Sequence, residues 1–74
     1  MSAEHDLELA DTIIKVAKTL LRSKANYIIF YDVDESYFNF ISYCDKKKFP
    51  LEKSKPDRIQ WYLNEADKLI SKHM

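Results

Sequence analysis

The sequence predicts an α+β fold, a small single domain over residues 1–74 with the order helix, β-hairpin, helix (αββα). Hydrophobic residues recur with a helical period near both ends of the chain. Between them lie two short runs of aromatic and β-branched residues, separated by a polar stretch, which is typical of a hairpin. The chain is 46% hydrophobic and 14% aromatic, which is rich enough for a packed core and argues against disorder.

The first helix is predicted over residues 3–23. On a helical wheel its apolar side chains fill one half and its polar side chains fill the other. The apolar half comprises Leu7, Leu9, Ala10, Ile13, Ile14, Val16, Ala17, Leu20 and Leu21. Because this half-circle is wider than the stripe of about 100° that a surface helix needs, the helix is expected to pack against two neighbours.

The hairpin is predicted over residues 26–44, with strands at 27–31 and 37–43 and a polar turn at 32–36. The chain contains no glycine, so a two-residue turn is disfavoured and a four-residue loop is expected. One face of the hairpin is wholly apolar or aromatic and comprises Tyr27, Ile29, Tyr31, Phe38 and Phe40. The two open edges of so small a sheet are templates for another strand, so the expected dimer forms either by extension of the sheet or by helix–helix contact.

A basic loop over residues 45–54 leads to a second helix over residues 55–72. Ser54, with Asp57 three residues on and Pro56 between them, is typical of a helix start. The apolar stripe of this helix comprises Ile59, Tyr62, Leu63, Ala66, Leu69, Ile70 and Met74. The only tryptophan, Trp61, lies about 160° from that stripe, among charged residues.

Composition excludes several classes of protein. Twelve acidic residues balance twelve basic ones, so no overall field favours nucleic acid or anionic lipid. The absence of glycine excludes phosphate-binding glycine loops. The acidic N-terminus and the lack of an apolar run of about 20 residues argue against a signal peptide or a membrane helix. Cys44 is the only cysteine, which fits a reducing compartment, and a cytoplasmic protein is expected.

No catalytic residue, cofactor or metal is predicted. His5 and His73 lie at opposite ends of the chain, and Cys44 closes a predicted strand, so no nucleophile is paired with a base. The oxygens of Asp32, Asp34 and Glu35 lack the glycine and the distal glutamate of a calcium-binding EF-hand loop. A solvated turn is the favoured reading of that acidic run.

The remaining surface predicts a small non-enzymatic protein–protein interaction module that acts as a regulator, adaptor or inhibitor by steric binding, with a homodimer favoured. Trp61 on a polar helix face is typical of a binding hot spot, unless Phe49 and Leu51 fold over it. The other predicted partner-binding residues are Asp32, Asp34, Glu35 and Tyr37. A lysine-rich, glycine-free composition suits an AT-rich coding sequence, such as that of a phage or mobile element.

Nucleic-acid binding is the alternative function. The predicted contacts are Lys46, Lys47, Lys48, Lys53 and Arg58. Lysines could hold phosphates there while nearby aromatic side chains stack on bases. Acidic residues are interspersed among these lysines, and the chain has only two arginines, the usual residues for bidentate phosphate contacts. A solvated connecting loop is therefore favoured over a nucleic-acid site.

Overall fold

A computed structural model describes residues 3–26 and 34–74, and these residues form three α-helices. They are α1 (Ala3–Arg22), α2 (Glu35–Lys46) and α3 (Lys55–Ser71). The first and last helices start at the residues expected from periodicity, and each ends one residue earlier than expected. None of the three has an apolar stretch long enough to cross a bilayer, within the part of the chain that is described.

The predicted α+β fold with a β-hairpin over residues 26–44 is wrong. The predicted second strand, 37–43, lies inside α2, and no strand occurs in residues 3–26 or 34–74. The predicted first strand, 27–31, and the turn residue Asp32 lie outside the described residues. The first two residues of the predicted basic loop, 45–54, belong to α2. The regular structure of residues 3–26 and 34–74 is therefore all helical.

The physical reason lies in the composition of residues 37–43, which include one β-branched residue, Ile41. The other apolar side chains there are aromatic, and aromatic residues enter a helix at a cost well below 1 kcal/mol each. As a helix, α2 buries Phe40, which is 4% exposed and whose ring lies 5.6 Å from that of Tyr62 on α3. Phe38 then points away from the core and is 64% exposed. Burial against the other helices thus outweighs local strand preference.

Both ends of α2 have identifiable caps. The Asp34 carboxylate accepts a hydrogen bond from the Tyr37 backbone N–H at 3.1 Å, so Asp34 is the N-cap. At the other end the Lys48 N–H donates to the Asp45 carbonyl and the Phe49 N–H donates to the Cys44 carbonyl. These bonds form a Schellman motif, whose left-handed position is usually glycine. In this glycine-free chain Lys48 takes that position, with φ of 59°.

The core lies around α1, which packs against both α2 and α3, the two neighbours that its wide apolar face requires. Its buried hydrophobic residues are Leu9, Ala10, Ile13, Val16, Ala17, Leu20, Phe40, Tyr62, Ala66 and Leu69. Three of these are alanines, and small side chains let helix axes approach closely. Ser54 begins α3 by accepting a hydrogen bond from the Asp57 N–H, as its sequence predicts.

Two contacts, one at each end, set the register of α1 against α3. At one end His73 lies 2.7 Å from Asp6. At the other end the Lys55 ammonium donates to the Ser23 carbonyl. The start of α1 thus meets the end of α3, so the two helices run antiparallel. Midway between these contacts, residue 14 on α1 is level with residue 64 on α3.

Candidate functional site

Trp61 is half-buried and packs against the core. The ring of Phe49, from the loop before α3, meets the Trp61 ring edge-on with centroids 5.0 Å apart. The same Phe49 ring stacks on Tyr62 at 4.8 Å. Leu51, the other residue expected to cover Trp61, is largely exposed. Much of the indole therefore has partners within the chain.

The described acidic residues of the predicted turn lie at the start of α2. Asp34 caps the helix, and Glu35 is exposed in its first turn, where the helix dipole favours negative charge. Tyr37 is half-buried and packs against the core. Asp32 lies outside the described residues. Asp34 and Glu35 are thus two exposed acidic groups beside each other, with Tyr37 turned inwards.

The lysines predicted to bind nucleic acid lie at the end of α2. Lys46 is its last residue, Lys47 is its C-cap and Lys48 occupies the left-handed position, and all three are exposed. The Lys47 ammonium lies 5.8 Å from the centre of the Tyr43 ring, a cation–π distance. Positive charge stabilises the C-terminal end of a helix. Helix termination therefore accounts for these lysines without a ligand.

Arg58 does not share the exposed position of the lysines. It is 4% exposed, and its guanidinium donates to the backbone carbonyls of Lys53 at 3.1 Å and Asn26 at 2.6 Å. The side chain joins the loop after α1 to the loop before α3. Of the five predicted nucleic-acid contacts, four are exposed lysines and the fifth is a buried structural arginine.

Two buried carboxylates were not foreseen from the sequence. Glu65 on α3 accepts hydrogen bonds from the Tyr43 hydroxyl and the Lys68 ammonium, both at 2.9 Å. Asp6 on α1 is bonded to His73, and the Lys72 ammonium lies 3.7 Å away. The available signal was helical spacing, because Asp6 lies four residues before Ala10 and seven before Ile13, in line with the buried stripe of α1.

These contacts shift the pKa values of the groups involved. Burial would raise the pKa of Glu65, but the hydrogen bonds from Lys68 and Tyr43 bring it below the usual value. The hydrogen bond with His73 lowers the pKa of Asp6. Burial, and then the bond to Glu65, raise the pKa of the Tyr43 hydroxyl. Both carboxylates are therefore ionised at neutral pH, and a lysine ammonium balances the charge of each one: Lys68 for Glu65 and Lys72 for Asp6.

The carboxylate of Asp6 borders a cleft where the three helices meet. Its lining residues are His5, Asp6, Leu9, Asn39, Ser42, Tyr43, Lys46, Lys47, Leu69 and Lys72. Among residues 3–26 and 34–74, no three His, Cys, Asp or Glu side chains are grouped as metal ligands would be. The contacts of Asp6 with His73 and Lys72 join the start of α1 to the end of α3, so Asp6 has a structural role in this cleft.

The outer face of α2 has a different character. Phe38 is 64% exposed and Ile41 is 45% exposed, and they lie three residues apart on the same side of the helix. Exposed acidic residues border them: Asp34, Glu35 and Asp45. A hairpin would have placed Phe38 in the core, so sequence reasoning missed this face. It is an apolar surface of two side chains with an acidic border.

Comparison of the chain with protein-family models, with curated proteins and with solved structures finds no match. The inference of function therefore rests on the chemistry of the surfaces described above.

Proposed function

We propose that this chain is a small, non-enzymatic protein-interaction module that docks a partner protein against the outer face of α2. It acts as a regulator, adaptor or inhibitor by steric binding. One observation carries this proposal: two large apolar side chains, Phe38 and Ile41, are 64% and 45% exposed beside each other. Single exposed apolar residues are ordinary, but a neighbouring pair on one helix face is typical of a docking surface.

The chemistry of α2 indicates how a partner would recognise it. Full burial of an exposed side chain such as Phe or Ile contributes about 1.5–3 kcal/mol, and the exposed parts of Phe38 and Ile41 leave roughly half of that for binding a partner. Residues three apart on a helix are the anchors used when a helix enters an apolar groove. The exposed carboxylates of Asp34, Glu35 and Asp45 favour a groove bordered by basic residues.

This proposal keeps Asp34 and Glu35 as contact residues and replaces the aromatic anchor. Trp61 packs against Phe49 and Tyr37 packs against the core, so both offer less surface than Phe38. Residues 37–43 offer no sheet edge to a partner, because they are helical.

The state of the Cys44 thiol supports a non-enzymatic role. As the only cysteine of the sequence, Cys44 fits a reducing compartment, and we propose that the protein is cytoplasmic. Burial, followed by the charge of Glu65, raises the pKa of the Cys44 thiol to about 12. A thiol with such a pKa is almost wholly protonated at neutral pH and is a poor nucleophile.

The test is affinity capture from the native cells with three forms of the full chain: wild type, Phe38→Lys and Leu51→Lys. Leu51 is as exposed as Phe38 but lies in the loop after α2, so it is the matched control. Far-UV circular dichroism checks that all three fold alike. We expect a protein that wild type and Leu51→Lys retain and Phe38→Lys loses. Equal retention by all three forms would exclude the outer face of α2.

Nucleic-acid binding through Lys46, Lys47 and Lys48 is a separate outcome of the same experiment. Binding to phosphates weakens steeply with salt, and nuclease treatment abolishes capture that depends on nucleic acid. A complex lost with nuclease or when all three lysines become glutamate, but kept by Phe38→Lys, would refute our proposal. A complex that survives nuclease and moderate salt supports it.

A further inference from the structure

A second apolar surface lies along α1 and α3. Leu7 is 44% exposed, Leu21 is 68% exposed and Leu63 is 39% exposed. Three half-buried isoleucines continue the surface between them: Ile14, Ile59 and Ile70. At one end Leu21 and Ile59 line the same surface groove, which ties the two helices into one face. We call these six residues the α1–α3 face.

The α1–α3 face points away from α2. On α1, Glu8 accepts a hydrogen bond from Ser36 of α2. Leu9 and Thr12 lie on the same side of α1 and line a small pocket together with residues of α2. At 100° per residue, Leu7, Ile14 and Leu21 lie about 170° from that side of α1. On α3 the residues that contact α2 are Tyr62 and Glu65. Around the axis of α3, Ile59, Leu63 and Ile70 lie about 110° from these two residues.

We propose that a second copy of this chain covers the α1–α3 face. The two copies pack face to face about a two-fold axis, with α1 on α1 and α3 on α3, each pair antiparallel. The product is a four-helix bundle with one α2 on each outer side. Three independent features of the face point to this occupant: its symmetry, its charge pattern and its size.

The spacing of the face is self-complementary, as a two-fold interface requires. On α1 the apolar residues fall at positions 7, 14 and 21, which are symmetric about Ile14. On α3 the outermost residues of the face are Ile59 and Ile70, and their midpoint falls between residues 64 and 65. The contacts of Asp6 with His73 and of Ser23 with Lys55 put residue 14 level with residue 64. One axis therefore passes through both centres.

Charge on the outer edge of α1 favours the antiparallel pairing of α1 with α1. Beside the apolar residues, exposed acids occupy the first half of the helix, at Glu4 and Asp11. Exposed bases occupy the second half, at Lys18 and Arg22. With Ile14 at the axis, Asp11 of each copy lies within one residue of the position opposite Lys18 of the other, and Glu4 lies within two residues of the position opposite Arg22. Such complementary pairs select helix partner and direction. Asp11 also forms an ion pair with Lys15 of its own helix, at 3.0 Å.

The outer edge of α3 disfavours the other face-to-face arrangement, in which α1 of each copy rests on α3 of the other. That edge is formed by Gln60, Asn64, Asp67 and Ser71, with a single charge. It offers no basic partner for the acidic half of α1. The α3 edges carry one charge each, and an axis between residues 64 and 65 keeps the two Asp67 side chains from facing each other, as the proposed pairing requires.

The face is also large enough. A helix of 20 residues is about 30 Å long, and two adjacent helices are about 20 Å wide, giving a footprint on the order of 600 Å². Stable interfaces bury about 800 Å² of accessible surface per partner, which is a comparable size. This surface is separate from the outer face of α2, so the dimer is independent of the proposed function and would present two docking faces.

The experiment measures mass by sedimentation equilibrium over a concentration series of the full chain. We expect twice the chain mass of 8.8 kDa. Leu21→Lys and Leu63→Lys should each weaken the dimer about 100-fold, because each change enters the interface twice. Phe38→Lys is the matched control, equally exposed but on α2, and should leave the dimer unchanged.

A charge swap tests the pairing itself. Asp11→Lys and Lys18→Asp should each weaken the dimer about tenfold, since each makes two like-charge contacts. The double variant restores opposite charges and should recover the affinity to within a few-fold. Asp11→Lys also removes the ion pair of Asp11 with Lys15 in the same helix, so circular dichroism of each variant measures the change in helix stability separately.

Three results would overturn the proposal. One is a wild-type protein that stays monomeric at hundreds of micromolar. Another is a dimer that Phe38→Lys disrupts while Leu21→Lys and Leu63→Lys do not, which would put the interface on α2. The third is a double variant, Asp11→Lys with Lys18→Asp, that binds no better than the single variants.

Discussion

The imidazole of His73 lies 2.7 Å from the carboxylate of Asp6, although 67 residues separate them in the sequence. This contact joins the end of α3 to the start of α1 and closes the antiparallel pair. Lys72 adds a positive charge 3.7 Å from the same carboxylate. Asp6 is buried, so its charge is matched where solvent is scarce. The hydrogen bond with His73, aided by the charge of Lys72, keeps the pKa of Asp6 below its ordinary value.

The lowered pKa of Asp6 predicts a dependence of stability on pH. A carboxyl whose pKa is lower folded than unfolded stabilises the protein above its unfolded pKa, about 4, and this contribution is lost as the pH falls through the folded pKa. Asp6→Asn should therefore be less stable than wild type at pH 6, with the difference shrinking towards pH 2. Urea unfolding followed by circular dichroism from pH 2 to 6 measures this, with the exposed Asp67→Asn as control. Parallel curves for wild type and Asp6→Asn would contradict it.

The helical state of α2 predicts opposite outcomes for two phenylalanines that a hairpin would place on one face. Phe40 is 4% exposed and Phe38 is 64% exposed. Phe40→Ala should lower the free energy of unfolding by about 3–5 kcal/mol through lost burial and a cavity. Phe38→Ala should change it by no more than about 0.5 kcal/mol, as for other surface changes. Urea titration of both variants at pH 7 measures the two changes in the free energy of unfolding. Equal losses of stability would favour a strand over a helix at residues 37–43.

The left-handed residue at the end of α2 predicts a stabilising substitution. A residue other than glycine in this conformation costs roughly 1–2 kcal/mol. Replacing it with glycine removes that strain, but the greater entropy of glycine in the unfolded chain cancels part of the gain. Lys48→Gly should therefore raise the free energy of unfolding by about 1 kcal/mol. Lys47→Gly is the control, because Lys47 has an ordinary φ of −87° and should gain nothing. Equal effects at both positions would contradict the assignment of the cap.

The raised pKa of Cys44, to about 12, predicts a slow thiol. Near pH 8 its thiolate fraction is on the order of 1,000-fold below that of an ordinary cysteine, and partial burial limits access further. Native Cys44 should react with a disulfide reagent at least about 100-fold more slowly than the urea-unfolded chain. A cysteine placed at the exposed Ala25, with Cys44 changed to serine, provides the fast reference. Similar native rates for the two thiols would refute the prediction.

Two of the three helices are evident from the sequence, because their apolar periodicity is long and their start signals are strong. The candidate site is not, since Phe38 becomes a surface residue only when residues 37–43 are helical. The signals for α2 were present in part. Asp34 is a good N-cap residue, and Tyr37, Phe40, Ile41 and Cys44 follow helical spacing. Aromatic alternation over the same few residues matches a strand equally well.

The sequence by itself determined α1 and α3, because each depends on local spacing repeated over several turns. The balance of charge follows from composition alone. Tertiary structure decided the state of α2, which is too short to form a stable helix alone. Packing of Phe40 on Tyr62 and the bond from Tyr43 to Glu65 join α2 to a helix distant in sequence. Since those partners exist only once α3 is folded against α1, the choice between strand and helix was made by long-range burial.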